Sequence, residues 1–222
     1  YTKCLVAAIT FWSVTCQPTF GQEETPYYPK IGDTIRDHRF TDVLNSNGKK
    51  SVNIRDYRGQ WLILDVWSRF CSGCIQSFPR MNRLADSLTG KVKLIMIGTP
   101  GREKDPDDLQ LTKQLYQKQA KMHNLDFTVA FDSTIRPFLD FDGTPFIVVI
   151  DPAGKIVFKT QHIETAQMQS IMNGTIPKNM IQAYSVHEIP PYAAHNTAMP
   201  LLIAGKQSNG GMDTAFLYRS II

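Results

Sequence analysis

The chain alternates between two hydrophobic rhythms. Short apolar runs at residues 61–67, 91–97, 127–131 and 146–150 are rich in branched and aromatic side chains. Such runs, bounded by turn residues, predict buried strands. Between them, Ile75, Phe78, Met81, Leu84, Ala85 and Leu88 recur at helical spacing, with Gly90 closing the segment. Pro79 lies inside this helix, where it removes one backbone hydrogen bond. Residues 105–123 form a polar helix, with Asp107 and Asp108 suited to its start and Lys118 and Lys121 to its end. Residues 165–172 predict a last helix. Residues 151–154 read as a turn joining the 146–150 strand to a partner at 155–158. Near the start, residues 40–44 and 51–54 read as a hairpin around an Asn47-Gly48 turn. The order of strands and helices gives an α/β architecture with a mixed central sheet flanked by helices and an N-terminal hairpin extension.

The two ends follow neither rhythm. Lys3 precedes an apolar stretch at residues 5–14, which has the length of a signal-peptide core. A transmembrane helix needs about 20 such residues. Thr19 and Gly21 supply the small residues of a cleavage site, so residues 1–21 read as a signal peptide. Cys16 offers lipoprotein processing as an alternative, hence membrane anchoring through the N-terminus, although Ser13-Val14-Thr15 is a poor lipobox. The chain begins on Tyr1 rather than Met, so further residues are expected upstream. Residues 22–35 are polar and contain proline, and read as a linker. Residues 36–174 form the globular domain. Residues 175–222 read as an extension that packs on the domain, or as the start of a truncated second module.

Composition narrows the function classes. Hydrophobic residues make up 42% of the 222 residues and charged residues 20%, so a packed core is expected rather than disorder. The net charge of +4 is scattered without a Lys/Arg block, which points away from a nucleic-acid partner. His38, His123, His162, His187 and His195 show no ligand spacing and read as surface residues.

Chemistry concentrates at Cys71-Ser72-Gly73-Cys74, between the 61–67 strand and the following helix. Two thiols at this spacing can close and reopen a small disulfide. A helix N-terminus carries partial positive charge and can lower a cysteine pKa to roughly 3.5–7.5. Half a zinc site is the competing reading, but no second pair supplies the other ligands, and no metal is expected. A purely structural disulfide over so short a loop would constrain little chain entropy. Asp65 interrupts the apolar 61–67 run. A desolvated carboxylate there can accept a proton near neutral pH and deprotonate Cys74. An acid paired with a lysine at the sheet edge is the alternative. Trp67 and Phe70 can shield the dithiol and offer an apolar surface to a partner chain, although Trp67 also suits a plain core position. Thr144-Pro145 suits an X-Pro turn able to face an extended substrate.

These residues together resemble the thioredoxin superfamily. The run from Asp65 through Trp67, Phe70, Cys71 and Cys74, then Pro79, then residues 143–154, is similar to exported TlpA/ResA-like thiol-disulfide oxidoreductases. The hairpin at residues 40–54 resembles the extension that those proteins share with the AhpC/TSA group. The likeness covers about residues 30–173. It implies a thioredoxin fold, an attacking Cys71, a resolving Cys74, a buried acid at Asp65, a cis proline at Pro145, and a redox-active disulfide with no bound cofactor. The implied partners are disulfide-containing exported proteins and, for a reductase, a membrane electron donor. The implied location is the periplasm or cell envelope. A long C-terminal extension is also similar to redoxins of Bacteroidetes-like bacteria.

Departures from the pattern limit the transfer. Many relatives of this type carry Glu three residues after the second cysteine, where this chain has Ser77, and Trp before the first, where it has Phe70. Both changes weaken any link to cytochrome c maturation. Ser68, without a neighbouring proline motif, argues against peroxidase chemistry. The two-residue spacing between cysteines argues against a copper chaperone. The rival reading is a non-catalytic binding or scaffold module of the cell envelope, with the C-terminal extension as its partner surface. A metal-binding redoxin is a further one.

Overall fold

The computed structural model describes residues 27–101 and 105–188, together with the backbone of residues 202–203 and 206–207. The expected signal peptide at residues 1–21 and most of the C-terminal extension lie outside the described residues.

The centre of the fold is the strand β4 (Trp61–Trp67), buried after its first residue. It runs parallel to β5 (Val92–Gly98), which in turn runs parallel to β6 (Thr128–Phe131). On its other side it pairs antiparallel with β7 (Phe146–Ile150), and β7 with β8 (Ile156–Thr160). The parallel strands are joined by α1 (Ser72–Ser87) and α2 (Asp108–His123). Successive right-handed crossovers that advance in one direction across a sheet place their helices on one face. The core follows that logic: Phe78, Met81 and Leu84 of α1 and Tyr116 of α2 share a cluster with Ile63 and Trp67. Met168 and Ile171 of a C-terminal helix, α4 (Thr165–Met172), join them. Leu62, Leu64 and Val66 face the opposite layer, against α3 (Ile135–Leu139) and the N-terminal segment. The short helix α3 carries no periodic signal long enough to read from sequence.

The expected N-terminal hairpin is shorter than its apolar pattern implied. Only β1 (Arg39–Phe40) and β3 (Val52–Asn53) pair with each other. The residues between them, β2 (Val43–Leu44), leave the hairpin and pair antiparallel with β6, extending the main sheet to six strands. The physical reason is the otherwise unpaired edge of β6. Asn45 fixes the junction, its amide donating to the carbonyl of Phe127 at 3.2 Å and to the Tyr116 hydroxyl at 3.1 Å.

Residues 27–35 correct the linker reading. Gly32 N–H donates to the Ile156 carbonyl at 2.7 Å, Ile35 N–H donates to the Gly154 carbonyl at 3.0 Å, and Ile35 is buried. This segment is therefore part of the domain. At the other end, residues 175–188 pack back on it. Gln182 bridges Thr160 and Ala183 N–H donates to the Lys159 carbonyl, so the tail covers the outer edge of β8.

Lys159 ties both ends together. Its ammonium is fully buried and donates to the Pro29 carbonyl, to Ser185 Oγ at 2.6 Å and to Glu188 Oε2 at 2.8 Å. Removing one partner of a buried ion pair leaves the other charge uncompensated, at a cost of about 3 kcal/mol. Glu188→Gln should therefore lower the unfolding free energy by that amount, read as a lower urea midpoint with an unchanged denaturant slope. A midpoint equal to wild type would show that the Glu188 charge contributes nothing to the fold's stability.

Candidate active site

The site begins where β4 ends. Cys71 N–H donates to the Ser68 carbonyl at 3.0 Å, closing a turn that reverses the chain into α1. The helix starts at Ser72, three residues earlier than its apolar spacing indicated. Small Ser72 and Gly73 lack the apolar side chains by which sequence periodicity detects a first turn. Cys71 is the N-cap, and its sulfur accepts from Cys74 N–H at 3.2 Å. Pro79 is accommodated without interrupting the helix.

Cys71 and Cys74 form a disulfide, with an S–S distance of 2.04 Å. The two sulfurs occupy unequal environments. Cys74 is buried and Cys71 only partly so. Cys71 is the more exposed of the two and caps the N-terminus of α1. Cys74 lies behind it, among core side chains.

Asp65 is in the middle of β4, opposite Met96 of β5 and Ile147 of β7. It is on the same face of the sheet as Ile63 and Trp67, beneath α1, and is 3% exposed. Burial pushes its pKa from the ordinary 3.8 up to about 7, with the Arg80 guanidinium opposing part of that rise. Asp65 and Cys74 line one pocket of about 170 Å³, together with Ser77, Arg80, Pro145 and His162. The sheet-edge alternative for Asp65 is thereby replaced, since β4 is central and its charged neighbour is an arginine from α1. Ser77 turns its hydroxyl onto the Cys74 carbonyl at 2.7 Å and brings no charge into the pocket.

The Thr144–Pro145 peptide bond is cis. Thr144 Oγ1 lies 3.3 Å from Ser68 Oγ, which joins the proline loop to the turn before Cys71. Phe70 is 46% exposed and is available as an apolar contact beside the disulfide. Trp67 is not: it is fully buried, edge-on to Phe78 with ring centroids 4.9 Å apart. Its expected place on a substrate surface is corrected to the core, because its side chain lies on the α1 face of β4, packed against Phe78 and Tyr116.

Sequence reasoning missed several neighbours of the site. Arg80 donates to the Ile163 carbonyl and faces the Asp65 pocket. Nothing in a helical repeat distinguishes it from a solvated arginine. Asp108, expected only as a helix start, does begin α2, but it is fully buried against Arg69 and Gly101 N–H. His162 belongs to the pocket rim, 3.3 Å from Glu164. Among the described residues, no group of three His, Cys, Asp or Glu side chains is placed to hold a metal ion. Among the same residues, no helix is long and apolar enough to cross a membrane.

Known proteins are similar to this chain in sequence and in fold. The family model for AhpC/TSA matches residues 31–159, more than half of the chain. The chain belongs to the AhpC/TSA family. This AhpC/TSA member is 28% identical over 120 residues to a thiol-disulfide oxidoreductase ResA of Bacillus cereus. That alignment spans 53% of this chain and 63% of the relative, less than two thirds of its length. Against ResA of Bacillus subtilis the identity is 24% over 146 residues, covering 64% of this chain and 69% of that one. Solved structures agree on the fold. A thiol:disulfide interchange protein DsbE from Chlorobium tepidum superposes with a TM-score of 0.50 at 22% identity, covering 65% of this chain and 94% of its own. A DsbF homologue from Corynebacterium diphtheriae gives 0.52 at 13% identity, covering 72% and 97%. The thioredoxin fold and the ResA-like resemblance read from the sequence are both borne out.

Proposed function

We propose that the protein is an exported thiol-disulfide oxidoreductase that reduces disulfides in other exported proteins. The observation that carries this reading is the inequality of the two sulfurs. Cys71 is accessible on a helix N-terminus, and Cys74 is buried behind it in a pocket shared with Asp65. The ResA relatives, named as thiol-disulfide oxidoreductases, support the same activity.

In the reducing direction, the Cys71 thiolate attacks one sulfur of a substrate disulfide. A mixed disulfide forms, and the first substrate thiolate leaves and takes up a proton. Asp65 takes the proton from Cys74, whose thiolate then attacks the Cys71 sulfur. The second substrate thiol is released, and Cys71–Cys74 returns to the disulfide seen here. Two electrons pass from the dithiol to the substrate, so the reaction uses no bound cofactor. Phe70 and the cis Thr144–Pro145 loop form the contact surface for the substrate chain.

Export rests on the signal-like pattern of residues 1–21, and the reaction then takes place in the periplasm or cell envelope. A reductase in an oxidising compartment needs a membrane electron donor to regenerate the dithiol. The deciding measurement is the reduction potential of the Cys71–Cys74 pair, by equilibration with defined thiol buffers. A value close to that of reductases, about −270 mV, is expected. A value near that of strong periplasmic oxidants, about −120 mV, would reverse the direction.

A further inference from the structure

We propose that Asp108 is a positioning residue of the dithiol site, which locks the loop after β5 against the turn that carries Phe70 and Cys71. The proposal rests on the thiol-disulfide exchange reading above and extends it to residues far from the CxxC in sequence.

Asp108 is the first residue of α2, and its side chain is fully buried. One carboxylate oxygen accepts from Arg69 Nε, and the other accepts from Gly101 N–H at 2.8 Å. Arg69 also reaches Asp105 at 3.5 Å. Its guanidinium carbon lies 4.2 Å from the centre of the Phe70 ring. Gly101 approaches the same ring so closely that a Cβ on it would meet Phe70 Cδ2 at 2.5 Å. That Cβ would also lie 3.3 Å from Ser68 Oγ, the atom that contacts Thr144 beside the cis proline. The turn at residues 68–71 and the loop at Gly101 therefore meet at Phe70, with Thr144 joined to the same turn through Ser68, and Asp108 bonds the first two directly.

A helix start explains why an acid stands at this position, since carboxylates favour helix N-termini. It does not explain complete burial. An exposed aspartate serves a helix start equally well, whereas a buried carboxylate is costly unless charge-assisted hydrogen bonds satisfy it. Here those bonds go to the residue two before Cys71 and to the backbone of the facing loop. The consequence is a Phe70 ring fixed before a partner arrives. A preset aromatic contact loses less conformational entropy on binding than one ordered by the partner.

The test compares insulin, a protein disulfide, with a small aromatic disulfide under steady-state turnover, with dithiothreitol as the reductant that regenerates the Cys71/Cys74 dithiol. Asp108→Asn keeps an acceptor for Gly101 N–H and removes the charge that holds Arg69. Its KM for insulin should rise about fivefold with kcat nearly unchanged, the scale expected for one mispositioned aromatic contact. KM for the small disulfide, which cannot span the Phe70 surface, should not move. In a Phe70→Ala background, Asp108→Asn should add nothing further to the insulin KM. Gly101→Ala approaches from the other partner: its new Cβ displaces the Phe70 ring while Asp108 and Arg69 stay paired. It should reproduce the rise in KM and keep the wild-type melting temperature. Equal KM changes for both substrates, an additive effect in the Phe70→Ala background, or a wild-type KM in Gly101→Ala would each overturn the proposal. Wild-type protein that turns over neither disulfide would instead overturn the exchange reading, and this proposal with it.

Discussion

Cys74→Ser should stall the protein as a covalent complex with its substrates, and Cys71→Ser should reduce disulfide exchange to background. The two outcomes differ because the two sulfurs differ in exposure, Cys74 being 2% exposed and Cys71 only partly buried. With Cys71 intact, the first attack proceeds and a mixed disulfide forms. With a serine hydroxyl in place of the resolving thiol, no internal nucleophile releases it, and the complex survives until an external thiol arrives. With Cys71 replaced, the remaining thiol is shielded by core side chains. The check is non-reducing electrophoresis of exported proteins after rapid acid quenching, followed by reduction of the trapped species. Adducts on Cys74→Ser that are absent from the double variant are expected. Trapping by Cys71→Ser and not by Cys74→Ser would exchange the roles of the two cysteines. A complete absence of adducts would favour the binding-module reading.

The legibility of this fold from sequence follows the range of each interaction. The strands β4, β5 and β7 were visible because they are largely buried on both faces and therefore mostly apolar. The CxxC motif was visible because its chemistry depends on spacing alone. Asp65 was visible because an acid contradicts its apolar surroundings. What stayed hidden depends on distant partners. Val43 and Leu44 satisfy a hairpin pattern equally well whether they pair with β3 or, as they do, with β6. Asp108 satisfies a helix-start pattern whether it faces water or, as it does, Arg69. Trp67 next to a cysteine motif suits a surface role, and only the packing of Phe78 and Tyr116 around it shows otherwise. Residues 27–35 and 175–188 are polar enough to read as linker and tail. They fold onto the domain because Lys159, a buried cation, needs the acceptors they supply.

Asp65→Asn should stabilise the protein while slowing its chemistry, and the opposite signs identify an acid kept for function. In the fold Asp65 titrates at about 7, against the ordinary 3.8. Between those values the folded state holds a proton that the unfolded chain has lost, so stability falls as pH rises from about 4 to about 7 and then levels off. A rise of that size corresponds to on the order of 4 kcal/mol of stability forgone above pH 7, because the fold then holds a desolvated carboxylate. Asparagine carries no charge to desolvate. Its variant should therefore match wild type near pH 4 and exceed it by a few kcal/mol near pH 8, as measured by urea unfolding of the oxidised proteins. The same change removes the carboxylate proposed above as the proton acceptor for Cys74. Release of a substrate mixed disulfide should slow by roughly 10²–10⁴-fold, the usual range for loss of a positioned base. Its pH dependence near neutrality should disappear with the carboxylate. A wild-type release rate in Asp65→Asn would remove Asp65 from the reaction, and a less stable variant at pH 8 would show that the ionised carboxylate is satisfied in the fold.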